Sequence, residues 1–247
     1  MEQQYPQLME LPLGFPTIDE PIDNTFTSER WELGKRLFFD KALSLDSTIS
    51  CASCHLPSLA FSDSLPISLG IQQRMGNRNS PSLANVAWHP FLMREGGVPT
   101  LEMQVFVPVE EHAEMGFNMA LLAQRIAADS SYVALAALAY DRLPDPFVIT
   151  RAIACFERSL ISGWSNFDRY YFQQQPSALN DQEKQEWRCF SAIAPLVVPA
   201  IAGSISPITL LKTTDCTAFM KTLAAYGSLA RNQTGHYSKY LRYAMWV

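Results

Sequence analysis

Two cysteines and a histidine at positions 51, 54 and 55 lie close enough in the sequence to act as one chemical unit. They belong to the pentapeptide Cys-Ala-Ser-Cys-His, which has the C-x-x-C-H pattern of c-type haem attachment. In that chemistry two thiols, one helical turn apart, add to the vinyl groups of the porphyrin, and the next residue points its imidazole at the iron. We therefore expect Cys51 and Cys54 to carry one covalent haem c, with His55 as the proximal iron ligand.

Two other chemistries use the same cysteine spacing. A redox-active C-x-x-C belongs to a βαβ unit, but no strand pattern precedes Cys51. A zinc site can also begin with C-x-x-C, but no second pair of cysteines or histidines follows at a suitable spacing. The histidine directly after the second cysteine and the loop-rich surroundings favour haem c.

The composition allows one large domain or two small ones, since the chain has 247 residues, of which 48% are hydrophobic. The net charge of −5 gives no indication of a nucleic acid or an anionic membrane as partner. No apolar run reaches the roughly 18 residues that a membrane span needs. The first residues lack the basic flank and apolar run of a secretory signal, so we expect that a signal was removed or was never there.

The positions of the apolar residues predict a mostly α protein with long loops. Residues 1–23 are rich in proline and acidic residues and predict an extended arm. Thr27 is the predicted cap of a helix with Trp31, Gly34, Leu37 and Phe38 on one face. The sequence predicts loops over residues 56–100, with one helix near residues 80–88, and it predicts helices over residues 118–140 and 150–161.

Longer stretches around the pentapeptide resemble a known family. They are LGKRLFFDKALSLDSTISCASCHLPSLAFSD, RNSPSLANVA, GGVPTLEMQ, the dipeptide EM at 114–115, and AIACFERSLISGWSNFDRY. In order and spacing they are similar to the bacterial di-haem cytochrome c peroxidases and their MauG-like relatives, and the similarity extends over residues 11–185. In that family an N-terminal haem domain reacts with hydrogen peroxide. A C-terminal haem domain receives electrons from a small donor such as cytochrome c or a cupredoxin.

The resemblance implies a division of the chain. Residues 1–23 form the arm, residues 24–165 the N-terminal, cytochrome c-like haem domain that reacts with peroxide, and residues 166–247 the remnant of a second such domain. It also implies a periplasmic location, because the family acquires its haem c outside the cytoplasm.

The same resemblance implies roles for three further residues. Gln104 and Glu114 match the pair that lies over the iron, where the carboxylate moves a proton between the peroxide oxygens and the amide orients the peroxide. Apart from the resemblance, Glu114 is an ordinary solvated loop acid. Asn79 matches a residue that helps to bind calcium in relatives; the other interpretation is a turn asparagine.

Two departures from the family pattern affect the expected chemistry. The stretch from Leu56 to Asn79 contains no histidine that could occupy the sixth iron position, so we predict an open site. Met75 is the one soft side chain there, and we expect it to pack or to face solvent. Where relatives have an aromatic residue between the two haems, this chain has Arg94, which predicts impaired electron transfer between haems.

The last third of the chain lacks a second C-x-x-C-H, and Cys189 and Cys216 lie far apart. In a shifted reading frame, each new codon consists of the last base of one residue's codon and the first two bases of the next residue's codon. Read in this way, the coding sequence permits the family motifs that this part of the chain lacks. The end GHYSKYLRYAMWV permits ALFKVPTLRNVG, and LVVPAIAG permits C-x-x-C-H-S-G. We therefore predict a shift of reading frame near Gln185–Glu186. The alternative is a divergent tail that forms an ordinary helix.

Three functions follow from these patterns. The first is a peroxidase-family haem protein that reduces hydrogen peroxide, impaired by the loss of its second haem. The second is a mono-haem electron-transfer cytochrome c, which needs a filled sixth iron position. The third is the non-functional product of a damaged gene.

Overall fold

The structure is a computed structural model that describes residues 9–93 and 96–201, with side chains as far as Ser191. Helices account for the regular structure of these residues, and three isolated β-bridges are the only extended pairings among them. The prediction of a mostly α protein is therefore confirmed. The chain forms two compact units, Met1–Gly163 and Trp164–Val247.

The helices of the first unit alternate with long loops. They are α1 (Ser28–Phe39), α2 (Cys51–Cys54), α3 (Leu101–Gln104), α4 (Phe106–Glu110), α5 (Met119–Ala127), α6 (Ser130–Tyr140) and α7 (Pro146–Arg158). Residues 10–27 contain turns and bends but no helix or strand. None of the helices in the described ranges combines the length and the apolar character needed to cross a membrane.

Helix α1 begins where the sequence predicts. The Thr27 hydroxyl accepts a hydrogen bond from the backbone N–H of Arg30 at 3.2 Å, as expected of an N-cap. Three of the four residues on the predicted apolar face are buried, with Leu37 and Phe38 wholly inaccessible to solvent, and Trp31 is half-buried. This face packs against α7, whose first turn is set by Pro146 after the Asp145 cap.

Gly34 allows α1 and α7 to approach closely. A Cβ atom at this position would lie 1.8 Å from the carbonyl oxygen of Ala152 on α7. Any side chain would therefore push the two helices apart. The contact between α1 and α7 forms the centre of the core, in which Ile149 and Ile153 of α7 are also buried.

Two helix predictions differ from the structure. Residues 118–140 form two helices, because the Asp129 side chain accepts from the N–H of Ser131 at 2.8 Å and caps a new helix there. The helix predicted near residues 80–88 is wrong: only a 3₁₀ turn forms, at Val86–Trp88. Asn85 has a left-handed backbone with φ +60°, and its side-chain amide donates to the carbonyl of Ser162 at 2.9 Å. This tertiary pairing replaces helical hydrogen bonds.

Arg125 of α5 fixes the loop that leads into α2. Its Nη1 donates to the carbonyls of Ala42 at 3.0 Å and Ser44 at 2.8 Å, and its Nη2 donates to that of Leu45 at 3.1 Å. The guanidinium also lies 4.1 Å from the centre of the Phe117 ring. One side chain thus holds the backbone of this loop a few residues before the cysteine pair.

The second unit is described as far as residue 201 and contains α8 (Asn166–Tyr171) and α9 (Asp181–Ile201). Trp187 of α9 contacts the ring of Phe167, with ring centres 4.6 Å apart. Trp187 comes just after the predicted frame shift and Phe167 before it. Residues 202–247, with Cys216, lie outside the described residues, and so does Arg94. The predictions for the frame shift and for Arg94 therefore stay predictions.

Candidate functional site

Helix α2 is a single turn that places the two cysteines one above the other. The Ser50 N–H donates to the Ser53 hydroxyl at 2.9 Å, which helps to start the turn. At its end the His55 N–H donates to the Cys51 carbonyl at 2.9 Å. The spacing of one turn that thioether attachment needs is therefore present in the backbone.

Both thiols are free and half-buried. Burial raises the pKa of Cys51 above its usual range, and the nearby Glu157 carboxylate raises it further. Burial also raises the pKa of Cys54, with a smaller contribution from Asp63. The charge of Glu114 makes a further, smaller contribution to the raised pKa of both thiols.

His55 is held through one ring nitrogen. Its Nδ1 lies 2.8 Å from the carbonyl oxygen of Phe61, an acceptor, so Nδ1 carries the proton. Burial lowers the pKa of His55 and favours the neutral imidazole. The backbone of Pro81 is a second partner of the ring. With its proton on Nδ1, the neutral imidazole has its lone pair on Nε2, which is the arrangement that an iron ligand requires.

Glu114 lies in the turn after α4, and backbone contacts hold that turn from two sides. The Ile71 N–H donates to the Glu114 carbonyl at 2.8 Å. This approach depends on Gly70, since a Cβ there would lie 2.0 Å from the carbonyl oxygen of Ala113. The Glu114 carboxylate is half-buried and makes no hydrogen bond within the described ranges. Burial raises its pKa, and the charge of Glu111 adds to the effect.

Gln104 ends α3, which is anchored to α7 by a buried ion pair. The Glu102 carboxylate lies 2.7 Å from Arg158 Nη2 and also accepts from Asn24 Nδ2 at 2.8 Å. The Gln104 amide nitrogen lies 3.8 Å from the sulfur of Met93. Gln104 makes no hydrogen bond to Glu114 or to the C-x-x-C-H residues in the part of the chain that the structure describes.

The other two predicted positions lie in the long loop after α2. Asn79 is half-buried and immediately precedes the buried Ser80. Among the described residues, no group of three or more His, Cys, Asp and Glu side chains is arranged to hold a metal ion. Met75 is 66% exposed. The calcium site and the open sixth position stay predictions.

The sequence analysis gave no role to Glu157, which is one of the most buried acids of the first unit. It lies at the end of α7 and is 5% exposed, and burial raises its pKa to about 8. Its Oε2 atom has no hydrogen-bond partner in the described structure. A Glu-Arg pair at the end of an apolar helix is the signal that could have identified it.

These features fit a covalently attached haem. Two desolvated thiols one turn apart and a neutral imidazole with a free Nε2 are the donor set of haem c. Apolar side chains that a porphyrin could cover are exposed in the adjoining loop: Leu59 is 42% exposed, Leu65 45% and Leu69 37%. The Leu69 carbonyl lies 3.9 Å from the sulfur of Cys54.

Comparisons with known proteins agree with this assignment. The sequence model of a family described as Di-haem cytochrome c peroxidase matches residues 28–176. The chain is 34% identical to the Methylamine utilization protein MauG of Methylophilus methylotrophus, over 71% of this chain and 52% of that protein. It is 32% identical to the Cytochrome-c peroxidase IdrP1 of Pseudomonas sp. (strain SCT), over 74% of this chain and 48% of that protein.

A solved structure is similar in fold as well as in sequence. It is that of a MauG-like protein associated with microbial copper homeostasis, with a TM-score of 0.68 and 33% identity over 73% of this chain and 54% of that one. The match confirms the predicted cytochrome c-like, mostly α fold class. The chain spans about half the length of the curated relatives that it matches.

Proposed function

The chain belongs to the di-haem cytochrome c peroxidase family, and on that premise we propose that it binds one haem c and reduces hydrogen peroxide. Residues 24–165 form the haem domain that reacts with peroxide. Cys51 and Cys54 carry the thioether bonds, and His55 binds the iron through Nε2. The main support is the 2.8 Å hydrogen bond from His55 Nδ1 to the Phe61 carbonyl, because it leaves Nε2 without a proton.

Glu114 is the proposed acid–base group. When bound, the haem supplies a redox-active iron that passes electrons to the peroxide. Reduction of one hydrogen peroxide to two waters consumes two electrons and two protons, so a proton must reach the leaving oxygen. The Glu114 carboxylate accepts a proton from one peroxide oxygen and donates it to the other oxygen, which then leaves as water. A raised pKa suits both steps, and such a group contributes roughly 10²–10⁴-fold in rate.

Gln104 is the proposed orienting residue. Its side-chain amide offers a donor and an acceptor to the two hydroxyl groups of a peroxide. The contact with the Met93 sulfur is long for a hydrogen bond, at 3.8 Å, and thioether sulfur is a weak acceptor. The amide can therefore exchange this contact for one with substrate at little cost.

A small redox protein is the proposed source of electrons. The relative named a cytochrome-c peroxidase supports a cytochrome c as donor, and a cupredoxin is the second candidate. We place the chain in the periplasm, where its family acquires haem c. Asn79 contributes a ligand to a calcium ion in this proposal.

Residues 166–247 are the proposed remnant of a second haem domain, out of frame from about residue 186. Loss of that haem reduces electron delivery from the donor and leaves slow turnover with small reductants. DNA sequencing across the codons for Gln185 and Glu186 tests this: a neighbouring frame that does not encode LFKVPTLRNV would exclude the shift.

The haem count tests the central proposal. A pyridine haemochrome assay on the chain, exported and purified, should give one covalent haem per polypeptide. The double variant Cys51→Ala/Cys54→Ala should give none. Cys155→Ala is the matched control, because Cys155 is buried in α7 outside the C-x-x-C-H pattern, and it should keep the haem. A wild-type chain without covalent haem would overturn the proposal.

The ferric spectrum separates the peroxidase from the alternatives. A high-spin spectrum that changes on addition of hydrogen peroxide supports a reactive iron with an open position. A low-spin spectrum that does not respond to peroxide supports a mono-haem electron carrier. Failure of haem-loaded protein to accumulate supports the product of a damaged gene.

A further inference from the structure

Phe61 has a backbone conformation that a bulky residue rarely adopts. Its φ is +57°, and that of Ala60 before it is +53°. These left-handed values suit glycine, while in other residues the Cβ atom crowds the following carbonyl. Such outliers persist only where the surrounding structure holds them, and they concentrate at functional sites.

The left-handed pair closes a tight chain reversal between Leu56 and Ser62. The Leu56 N–H donates to the Ser62 carbonyl at 2.9 Å, and the Phe61 N–H donates back to the Leu56 carbonyl at 2.9 Å. Within this reversal the Phe61 carbonyl faces His55, with its oxygen 2.8 Å from Nδ1. The strained residue therefore supplies the atom that holds the imidazole.

The side chain of Phe61 anchors this conformation. Its ring packs edge-on against Phe38, with centres 6.0 Å apart, and against Phe156 at 6.4 Å. Phe38 is wholly buried and lies 6.5 Å from the His55 ring, centre to centre. Glycine would adopt this backbone without strain, but it has no ring to bury. The packing of the phenylalanine ring therefore stabilises a backbone conformation that the residue type disfavours.

We propose that Phe61 is a positioning residue for the proximal ligand. Burial of its ring fixes the carbonyl, and the carbonyl fixes the tautomer and the rotation of the imidazole. The strength of this hydrogen bond also sets how strongly Nε2 donates electrons to the iron, and hence the reduction potential. The inference rests on the proposed role of His55 and deepens it.

Substitution of Phe61 in the haem-loaded protein tests the inference. Phe61→Ala keeps a Cβ but removes the anchor, so the hydrogen bond should lengthen. We expect the iron–imidazole stretch of the ferrous haem, measured by resonance Raman spectroscopy, to move to lower frequency. The reduction potential should rise enough to change the ferrous-to-ferric ratio about tenfold at a fixed applied potential, which is about 59 mV for one electron.

Ser58→Ala is the matched control, because Ser58 lies in the same reversal and is exposed; it should leave both values unchanged. If Phe61→Ala shifts neither value, or if Ser58→Ala shifts them equally, the inference is overturned. If Phe61→Ala binds no haem, Phe61→Leu is measured instead. A smaller change of the stretching frequency and the reduction potential in the same direction is expected, and no change overturns the inference. A wild-type protein without an iron–imidazole band contradicts the role of His55 itself, and with it the proposed function.

Discussion

The segment proposed to attach the haem and the two residues proposed to act on peroxide are held in opposite ways. In the attachment segment, residues 50–62, the imidazole of His55 is held by a short hydrogen bond and lies beside a cluster of buried rings. Glu114 and Gln104 instead have well-fixed backbones and lightly engaged side chains. A metal ligand must keep one geometry, whereas a group that exchanges protons or hydrogen bonds with substrate must be free to do so.

The largest effect expected from this comparison is at Glu114. Glu114→Gln keeps the shape of the side chain but removes its ability to exchange a proton. The rate constant of the haem-loaded protein with hydrogen peroxide should fall by about 10²–10⁴-fold, measured by stopped-flow absorbance. The covalent haem count should not change, since Glu114 has no part in attachment. A rate within threefold of wild type would show that Glu114 is not the acid–base group.

Arg125→Ala tests the rigid side of the comparison. Nη1 and Nη2 donate to three backbone carbonyls before α2. One hydrogen bond to a charged group contributes about 1.5–3 kcal/mol, and three bonds that share one half-buried side chain do not add in full. We expect a loss of about 3 kcal/mol in the free energy of unfolding, measured by urea denaturation. Arg169→Ala is the control, because Arg169 belongs to the second unit and should change this value little. Equal stability of Arg125→Ala and wild type would show that these hydrogen bonds do not stabilise the loop.

Glu157 predicts how stability depends on pH. Its pKa is raised to about 8 in the folded protein by burial, so the folded state retains a proton that the unfolded state has lost. The contribution of Glu157 to stability should therefore be fully present below the ordinary pKa of a glutamic acid and should be lost as the pH rises towards about 8. Glu157→Gln removes this titration, so the thermal midpoint of the variant should fall less over that range. Parallel curves for variant and wild type would contradict the assignment.

The smallest effect is expected at Gln104. Gln104→Leu keeps the volume but removes both polar atoms, and loss of an orienting hydrogen bond contributes about 0.5–1.5 kcal/mol. The rate with peroxide should fall by roughly tenfold or less, in the same stopped-flow assay. Gln104→Glu should restore part of the rate, since it keeps an acceptor. A loss as large as that of Glu114→Gln would mean that orientation and proton transfer are not separable here.

Local signals in the sequence were sufficient for the attachment segment. The Thr27 cap, the apolar face of α1 and the single turn that carries Cys51 and Cys54 all depend on residues within a few positions of one another. The helix predicted at 80–88 failed because Asn85 pairs with Ser162, which is 77 positions away. The boundary at Asp129 depended on one capping side chain within an alanine-rich stretch that otherwise favours helix.

The contacts that complete the candidate site join distant parts of the chain, and the sequence does not specify such contacts. Glu157 lies close to Cys51 only because α7 packs on α1. The left-handed backbone of Phe61 also could not be predicted, because the residue type disfavours it and packing of its ring against two others stabilises it. The fold class was thus accessible from sequence, and so was the turn that carries the proposed haem ligands, but the groups around them were not.

The hydrogen bonds from Arg125 to the loop before α2 also determine when that loop can become ordered. Ala42 and Arg125 are separated by 83 positions, and contacts between distant parts of a chain form late in folding because loop closure costs entropy. Residues 42–45 are therefore held in place only after α5 has docked. Until then the loop before α2 lacks these hydrogen bonds and Cys51 and Cys54 are more accessible; on the proposed function, this is the state of the chain that favours porphyrin attachment.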